Sequence, residues 1–206
     1  MSVSEDREDV APAVQPAAAV AAPIADPAPL GLAAFALTTF LLSAVNAHWT
    51  NGNSAGTAFL GYALAYGGAA QLLAGMWEFR NKNVFGATAF SSYGAFWIGL
   101  FFWIKNAPTA SGHDLGWILL AFAIFNTYML IMSTQVNLAV FGVFMFLELT
   151  LIFLAVGNFS GVNDGLSQIG GYLGIVTAIV AWYTSAAGVS NGLGGRIRFP
   201  VGRPLF

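Results

Sequence analysis

The chain has 206 residues, of which 57% are hydrophobic and 8% charged, with a formal net charge of -2 and no cysteine. So low a charged fraction lies far from the roughly 25% usual in soluble domains and marks an integral membrane protein. It offers no basic cluster to neutralise nucleic-acid phosphates, and it excludes disulfides, thiolate chemistry and cysteine metal sites. At about 20 residues per membrane-crossing helix plus short turns, the length accommodates six spans in one all-α domain and leaves little for a separate soluble unit.

Residues 1–25 open with Glu5, Asp6, Glu8 and Asp9 and continue as an Ala/Pro/Val mixture. That composition cannot bury a core and predicts a disordered tail. Its acidic start is the reverse of a secretory leader, so the tail is expected to stay in the cytoplasm. Asp26-Pro27-Ala28-Pro29 then reads as a helix start, with Asp26 as the N-cap and proline at the first helical position, where its missing N–H costs nothing. A first span is expected from about Pro29 to Trp49. Thr39, Ser43 and Asn46 fall at i, i+4 and i+7 on one polar stripe of it, with Thr38 beside them. Asn51-Gly52-Asn53 reads as a tight turn.

The second span, about Ser54 to Trp77, places Ala63, Gly67, Gln71 and Gly75 at successive steps of four, a small-residue ridge with one amide in it, continued by Glu78. A short charged turn, Glu78 to Phe85, leads to the third span, about Phe85 to Trp103. There Thr88, Ser91, Ser92 and Tyr93 interrupt the apolar residues. Such polar groups face a helix neighbour or an aqueous path, and the two readings weigh about equally here. A Pro/Gly loop with His113 and Asp114 precedes the fourth span, about Leu115 to Met132, which carries Asn126 and Thr127. After the polar link Ser133 to Asn137, the fifth span runs from about Leu138 to Val156 and is almost wholly apolar apart from Glu148 and Thr150. An intramembrane carboxylate is costly and a functional candidate by default, while a protonated acid bonded to a neighbouring helix is the plainer reading. Gly157-Asn158 is expected to open an outer loop containing Asp164. The sixth span, about Gln168 to Ser190, repeats the small-residue device with Gly170, Gly174 and Ala178. A C-terminal tail, residues 191–206, holds Arg196, Arg198 and Arg203.

Six spans put both termini on one side of the bilayer. That side collects Arg7, Arg80, Lys82, Arg196, Arg198 and Arg203 against Lys105 alone on the other, so both ends are expected to be cytoplasmic, in an inner or plasma membrane. Trp49, Trp77, Trp103 and Trp117 fall near span ends as an aromatic belt, and Trp97 and Trp182 lie deeper, where core packing is expected.

Reactive chemistry is thin. His48 and His113 have no ligand-spaced partner, so no metal is expected. Gly188-Val189-Ser190-Asn191-Gly192 matches G-x-S-x-G but follows a membrane helix and not a strand. Lys82 and Lys105 lie at span ends, where neither could form a Schiff base to a buried retinal. With no enzymatic constellation and no cofactor expected, conduction remains. Helix N-termini, amides and hydroxyls can hold a small anion transiently while an apolar ring limits leakage.

Several of these segments together resemble a known family. Asp26 to Phe35 (DPAPLGLAAF), the run GGAAQLLAGMWEFRNKNVFGATAFSSYGAFW, Gly157-Asn158 and Gly171-Tyr172-Leu173-Gly174 are similar to the acetate uptake transporter family, the succinate/acetate permeases, over about Asp26 to Pro200. The resemblance implies a six-helix protomer with its own pore, assembled as a homo-hexamer in the lipid bilayer, passing acetate and in some members succinate. It also implies a narrow hydrophobic constriction at Phe35, Tyr93 and Leu147, with Thr38, Asn46, Gln71, Ser92 and Glu148 as polar groups near the path and Asp26 capping a helix at its entrance. Three positions differ from the family pattern: Asp26 stands for the usual asparagine, Asn126 for a threonine, and Glu148 for a hydroxyl residue. A non-transporting scaffold or sensor, and a carrier of another small solute such as ammonium, are the competing readings.

Overall fold

A computed structural model describes residues 24–50, 59–106, 112–161 and 164–206. The expected N-terminal tail up to residue 23 and the Asn51-Gly52-Asn53 turn lie outside the described residues. Among the described residues there are six helices: α1 (Ala28–Asn46), α2 (residues 59–80), α3 (Val84–Asn106), α4 (Gly112–Ser133), α5 (Leu138–Phe159) and α6 (Asp164–Gly192). Among the described residues, five of them, α1 and α3 to α6, are long and apolar enough to cross a membrane. The chain is a multi-pass membrane protein.

α2 is interrupted. Its Ala63–Ala70 segment is a π-helix, followed by regular α-helix over Gln71–Arg80. The sequence predicts the burial but not the winding. A step of four overshoots a turn of 3.6 residues, so the ridge Ala63, Gly67, Gln71, Gly75 would drift around a plain α-helix. Closing hydrogen bonds to i+5 puts more residues in each turn and keeps the ridge on one side. Ala63, Gly67, Gln71 and Gly75 are all buried.

Each helix packs on its neighbours in sequence, and α6 closes the circle by packing extensively on α1; the α3–α4 seam is the lightest. The six helices therefore form a closed ring in chain order. Where the ring is tight, glycines make it so. A Cβ on Gly171 would lie 2.5 Å from the Ala47 backbone nitrogen, and one on Gly94 would lie 2.7 Å from that of Leu72.

Most helices overrun their expected spans. α3 continues through Lys105, and α4 begins at Gly112, so His113 and Asp114 sit in its first turn and not in a loop. Gly157 and Asn158 extend α5, and Asp164 starts α6. Apolarity reports only the stretch that meets lipid, whereas the helices run on to wall the cavities at either end. The helix start at α1 also shifts by one: Pro27 occupies the cap position, and Asp26, one residue earlier, accepts a 3.0 Å bond from the Ala28 N–H. Asn137 caps α5 by accepting from the Val140 N–H at 2.9 Å. The C-terminal segment is pinned to the body, since the Val201 carbonyl accepts from the Ala139 N–H and Asn191 exchanges side-chain bonds with the Phe199 backbone.

Candidate functional site

Among the described residues, four cavities follow one another through the middle of the ring, neighbours sharing lining residues. At the end where α1 begins and the C-terminal segment docks, a terminal-side vestibule of about 320 Å³ is bounded by Asp26, Asn81, Asn83, Asn137, Thr184 and Asn191, among apolar residues. At the opposite end a vestibule of about 530 Å³ is bounded by Asn46, His48, Asn158, Asp164 and Ser167 over an apolar floor. His48 Nε2 and Asp164 Oδ1 meet at 3.3 Å at this mouth; the pair is solvent-exposed and contributes little to stability.

Between the vestibules lie two small chambers. The near one, about 20 Å³, shares Leu32, Ala89, Phe90 and Phe144 with the terminal-side vestibule. The far one, about 30 Å³, shares Leu42, Phe96, Leu119 and Leu154 with the other vestibule. Each is large enough for a water molecule or two and too small for anything larger without side-chain movement. Phe35, Tyr93 and Leu147 line both chambers, and the Phe35 and Tyr93 rings lie 5.6 Å apart, tilted by 58°. All three are buried.

The polar residues near the axis divide sharply. Most threonine hydroxyls are satisfied inside their own helix. Thr38, Thr88, Thr150, Thr177 and Thr184 each donate to the carbonyl four residues earlier, at 2.7 to 2.9 Å. Thr39 does not: its Oγ1 is buried without a hydrogen-bond partner among the described residues, and the residue lines the far chamber. Trp97 lines the same chamber, and its Nε1 is likewise buried and unpartnered. Gln71 lines the near chamber with its Oε1 in the same condition. A buried polar atom without a partner is expensive, at about 1–3 kcal/mol, and such atoms concentrate where a ligand or water is handled.

Of the sequence-predicted site residues, Phe35, Tyr93, Leu147 and Gln71 therefore come together on the axis. Asn46 borders the far vestibule and Asp26 the terminal-side one. Thr38, Ser92 and Glu148 border none of these cavities. Thr38 is fully buried against Gly67, where any added Cβ would collide with it. Glu148 is half-buried on the far side of α5, where its carboxylate accepts from Asn126 and Thr127. Thr39, Ser43, Thr150 and Trp97 line the far chamber without having been singled out as site residues. The Thr39, Ser43, Asn46 stripe was the signal for the first two; Trp97 was read as plain packing.

The chain matches known proteins along most of its length. Acetate permease A of Emericella nidulans is 39% identical, over 86% of this chain and 65% of its own. Ammonia transport outward protein 2 of Saccharomyces cerevisiae is 37% identical, over 81% of this chain and 62% of its own. The chain thus spans a little under two thirds of the length of these fungal relatives. The succinate-acetate/proton symporter SatP of Escherichia coli K12 is 35% identical, over 87% of this chain and 96% of its own. Among solved structures, the bacterial acetate channel SatP superposes with a TM-score of 0.82 at 32% identity, covering 87% of this chain and 99% of that one. Residues 9–202 match the GPR1/FUN34/yaaH family, and the chain belongs to that family.

Proposed function

We propose that the protein passes acetate and related short carboxylates, succinate among them, across an inner or plasma membrane along the axis of its helical ring. The observation that carries the reading is the row of cavities: two vestibules opening at opposite ends and two chambers between them that share Phe35, Tyr93 and Leu147. Relatives named for acetate permeation, succinate-acetate/proton symport and an acetate channel support the cargo.

In this reading Phe35, Tyr93 and Leu147 form the constriction. An ionised carboxylate loses its hydration there at high cost. Gln71 on one side, and Thr39 and Trp97 on the other, offer uncommitted polar atoms within the chambers, so the dry section is short. Weak, divided sites of this kind favour passage, because tight binding would slow exit. Asp26 at the terminal-side vestibule sets a negative charge near one entrance and disfavours the ionised form of the cargo there.

α2 serves as the sixth span despite its π-helical interruption. The termini then share one side with Arg80, Lys82, Arg196, Arg198 and Arg203, which is the cytoplasmic side by the positive-inside rule. Exposed Trp117, Ile124, Tyr128 and Ile131 on α4, and Leu73, Met76 and Trp77 on α2, give the protomer apolar faces for lipid and for neighbouring copies in a homo-hexamer.

Proteoliposome uptake of labelled acetate tests the reading, with succinate, formate and ammonium as competitors. Acetate flux inhibited by succinate or formate is expected. Absence of acetate flux from correctly assembled protein overturns it. Ammonia is the alternative cargo, favoured by the relative named for ammonia transport, and flux of ammonium without acetate would establish it.

A further inference from the structure

We propose that Asn126 and Glu148 are positioning residues, which hold the Tyr93 ring across the narrow section through a hydrogen-bonded brace from α3 through α4 to α5. The inference rests on the reading of Phe35, Tyr93 and Leu147 as the constriction. The Tyr93 hydroxyl donates to Asn126 Oδ1 at 2.7 Å. Asn126 Nδ2 donates to Glu148 Oε2 at 2.7 Å and to the Phe144 carbonyl at 3.0 Å. Thr127 Oγ1 reaches Glu148 Oε1 at 2.8 Å. Tyr93 is 3% exposed and Asn126 is completely buried, so the Tyr93–Asn126 bond lies in the dry interior, and the brace reaches the protein surface only at its Glu148–Thr127 end.

The brace does what packing alone does not. Around Tyr93 stand Phe122 at 5.9 Å, Phe125 at 5.4 Å and Phe144 at 6.5 Å. Aromatic contacts of this kind are attractive over a range of tilts. Hydrogen bonds are directional, and one at the tip of the ring fixes where the ring lies. Asn126 offers its carbonyl to Tyr93 because both of its amide hydrogens are engaged by acceptors, Glu148 and the Phe144 carbonyl. Without the Glu148 acceptor the amide is free to turn over and present its NH₂ group to the phenol. Glu148 borders none of the cavities, so its effect on the path runs through Asn126.

The bond pattern holds for either form of the acid. With Glu148 ionised, Thr127 donates to Oε1. With Glu148 protonated on Oε1, the acid donates to Thr127 Oγ1, and Thr127 gives its own proton to the Ala123 carbonyl, which lies 2.9 Å away. Oε2 accepts from Asn126 in both cases. The titratable groups acting on Tyr93 are Glu148 on α5 and Tyr128 on α4, and neither needs to change charge for the ring to stay in place. A glutamine at position 148 satisfies the same partners, with Oε1 accepting from Asn126 and Nε2 donating to Thr127.

The full chain in liposomes provides the test, read as the ratio of butyrate to acetate uptake. Tyr93→Phe removes one oxygen and keeps the ring, Glu148→Leu removes the acceptor, and Glu148→Gln preserves it. Tyr93→Phe and Glu148→Leu are each expected to raise the ratio by about 3- to 10-fold, the size of one buried hydrogen bond. The double substitution should raise it no further than either alone. Glu148→Gln should match wild type from about pH 5 to about pH 8. Phe35→Ala and Leu147→Ala, which enlarge the gap directly, separate the two readings. If they raise the ratio while Glu148→Leu leaves it unchanged, or adds its effect fully to that of Tyr93→Phe, the brace is refuted and the constriction stands. If they too leave it unchanged, the constriction reading fails and the brace falls with it.

Discussion

Two seams of the ring are built on opposite principles. Where α6 meets α1, glycine brings the helices close: Gly171 meets the Ala47 and Asn46 backbone, Gly174 the Ser43 side chain and Gly188 the Pro29 ring. Ser185 then donates to the Pro29 carbonyl at 2.6 Å. Where α3 meets α4 the helices stand apart, and rings fill the space, with Phe96 and Phe122 at 4.6 Å and Tyr93 against Phe122 and Phe125. In a bilayer the hydrophobic effect does not press helices together, so close backbone contact and interhelical hydrogen bonds supply the cohesion. The glycine seam thus holds the ring, and the aromatic seam, whose Tyr93 and Phe96 also line the far chamber, shapes the cavities. Side chains can change rotamer where backbones in contact cannot move apart.

The sharpest way to break this contrast is to add volume at the tight seam. Gly171→Val places its Cβ 2.5 Å from the Ala47 nitrogen and 2.9 Å from the Ser43 carbonyl oxygen. Neither atom can yield without shifting α1, so a loss of about 3 kcal/mol or more is expected, read as the absence of folded protein in detergent. Gly99→Ala on α3, where a new Cβ meets nothing within 4 Å among the described residues, should leave the thermal midpoint unchanged or raise it slightly, because alanine favours the helix by about 1 kcal/mol. Equal damage from both would show that glycine serves the ring generally and not at seams.

Removing volume at the path is the complementary change. Leu147→Ala should raise the butyrate-to-acetate uptake ratio by about tenfold, the scale on which a hydrophobic pocket distinguishes small groups. It should leave the yield of folded protein near wild type, because the cavity it makes joins two that already exist. Thr39→Val is isosteric and removes only the unpartnered hydroxyl. It should slow acetate by a few-fold, the worth of one hydrogen bond, and stabilise the fold slightly. Unchanged acetate flux in Thr39→Val would mean that the hydroxyl is unpartnered for reasons of packing alone.

Much of this contrast was legible from spacing. Gly170, Gly174 and Ala178 announced a ridge on α6, and Ala63, Gly67, Gln71 and Gly75 announced another on α2. Gly171, the closest approach of α6 to the α1 backbone, falls outside the steps of four and is invisible in the spacing as a seam residue, because which flank of a helix touches a distant partner is decided by ring closure. Helix ends differ for another reason: polar Asn158 and Asp164 look like loop residues until the vestibule they border is known, and His113 and Asp114 look so until α4 is seen to begin at Gly112. Leu147 and Glu148 were read as near neighbours on the path, yet adjacent helical residues point about 100° apart, so both could not face it. The π-helical stretch of α2 is not readable from its steps of four, because Gly170, Gly174 and Ala178 are buried at the same spacing on the plain α-helix α6.

The contrast sharpens at the α2–α3 seam, which is glycine-lined and yet holds an acid. Glu78 lies in the last turn of α2, past the expected span end at Trp77, and is completely buried. Asn81 Nδ2 donates to its Oε2 at 3.0 Å, and its Oε1, without a hydrogen-bond partner among the described residues, lies where a Cβ on Gly86 would come within 2.6 Å. Burial pushes the carboxyl above the usual carboxylate range, the Asn81 bond opposes this, and the Asp26 charge adds to it. The folded protein therefore takes up this proton at a higher pH than the unfolded chain does. Stability from this group falls as pH rises from the unfolded pKa to the raised folded one, and levels off above it. Glu78→Gln removes the dependence. Its thermal midpoint should exceed wild type at about pH 8 and approach wild type at about pH 4, while groups common to both proteins cancel. The effect is a slope and not a loss of fold, the smallest of those considered. A difference that stays constant with pH would mean that the acid is solvated through the terminal-side vestibule, and that glycine seams in this ring are not dry.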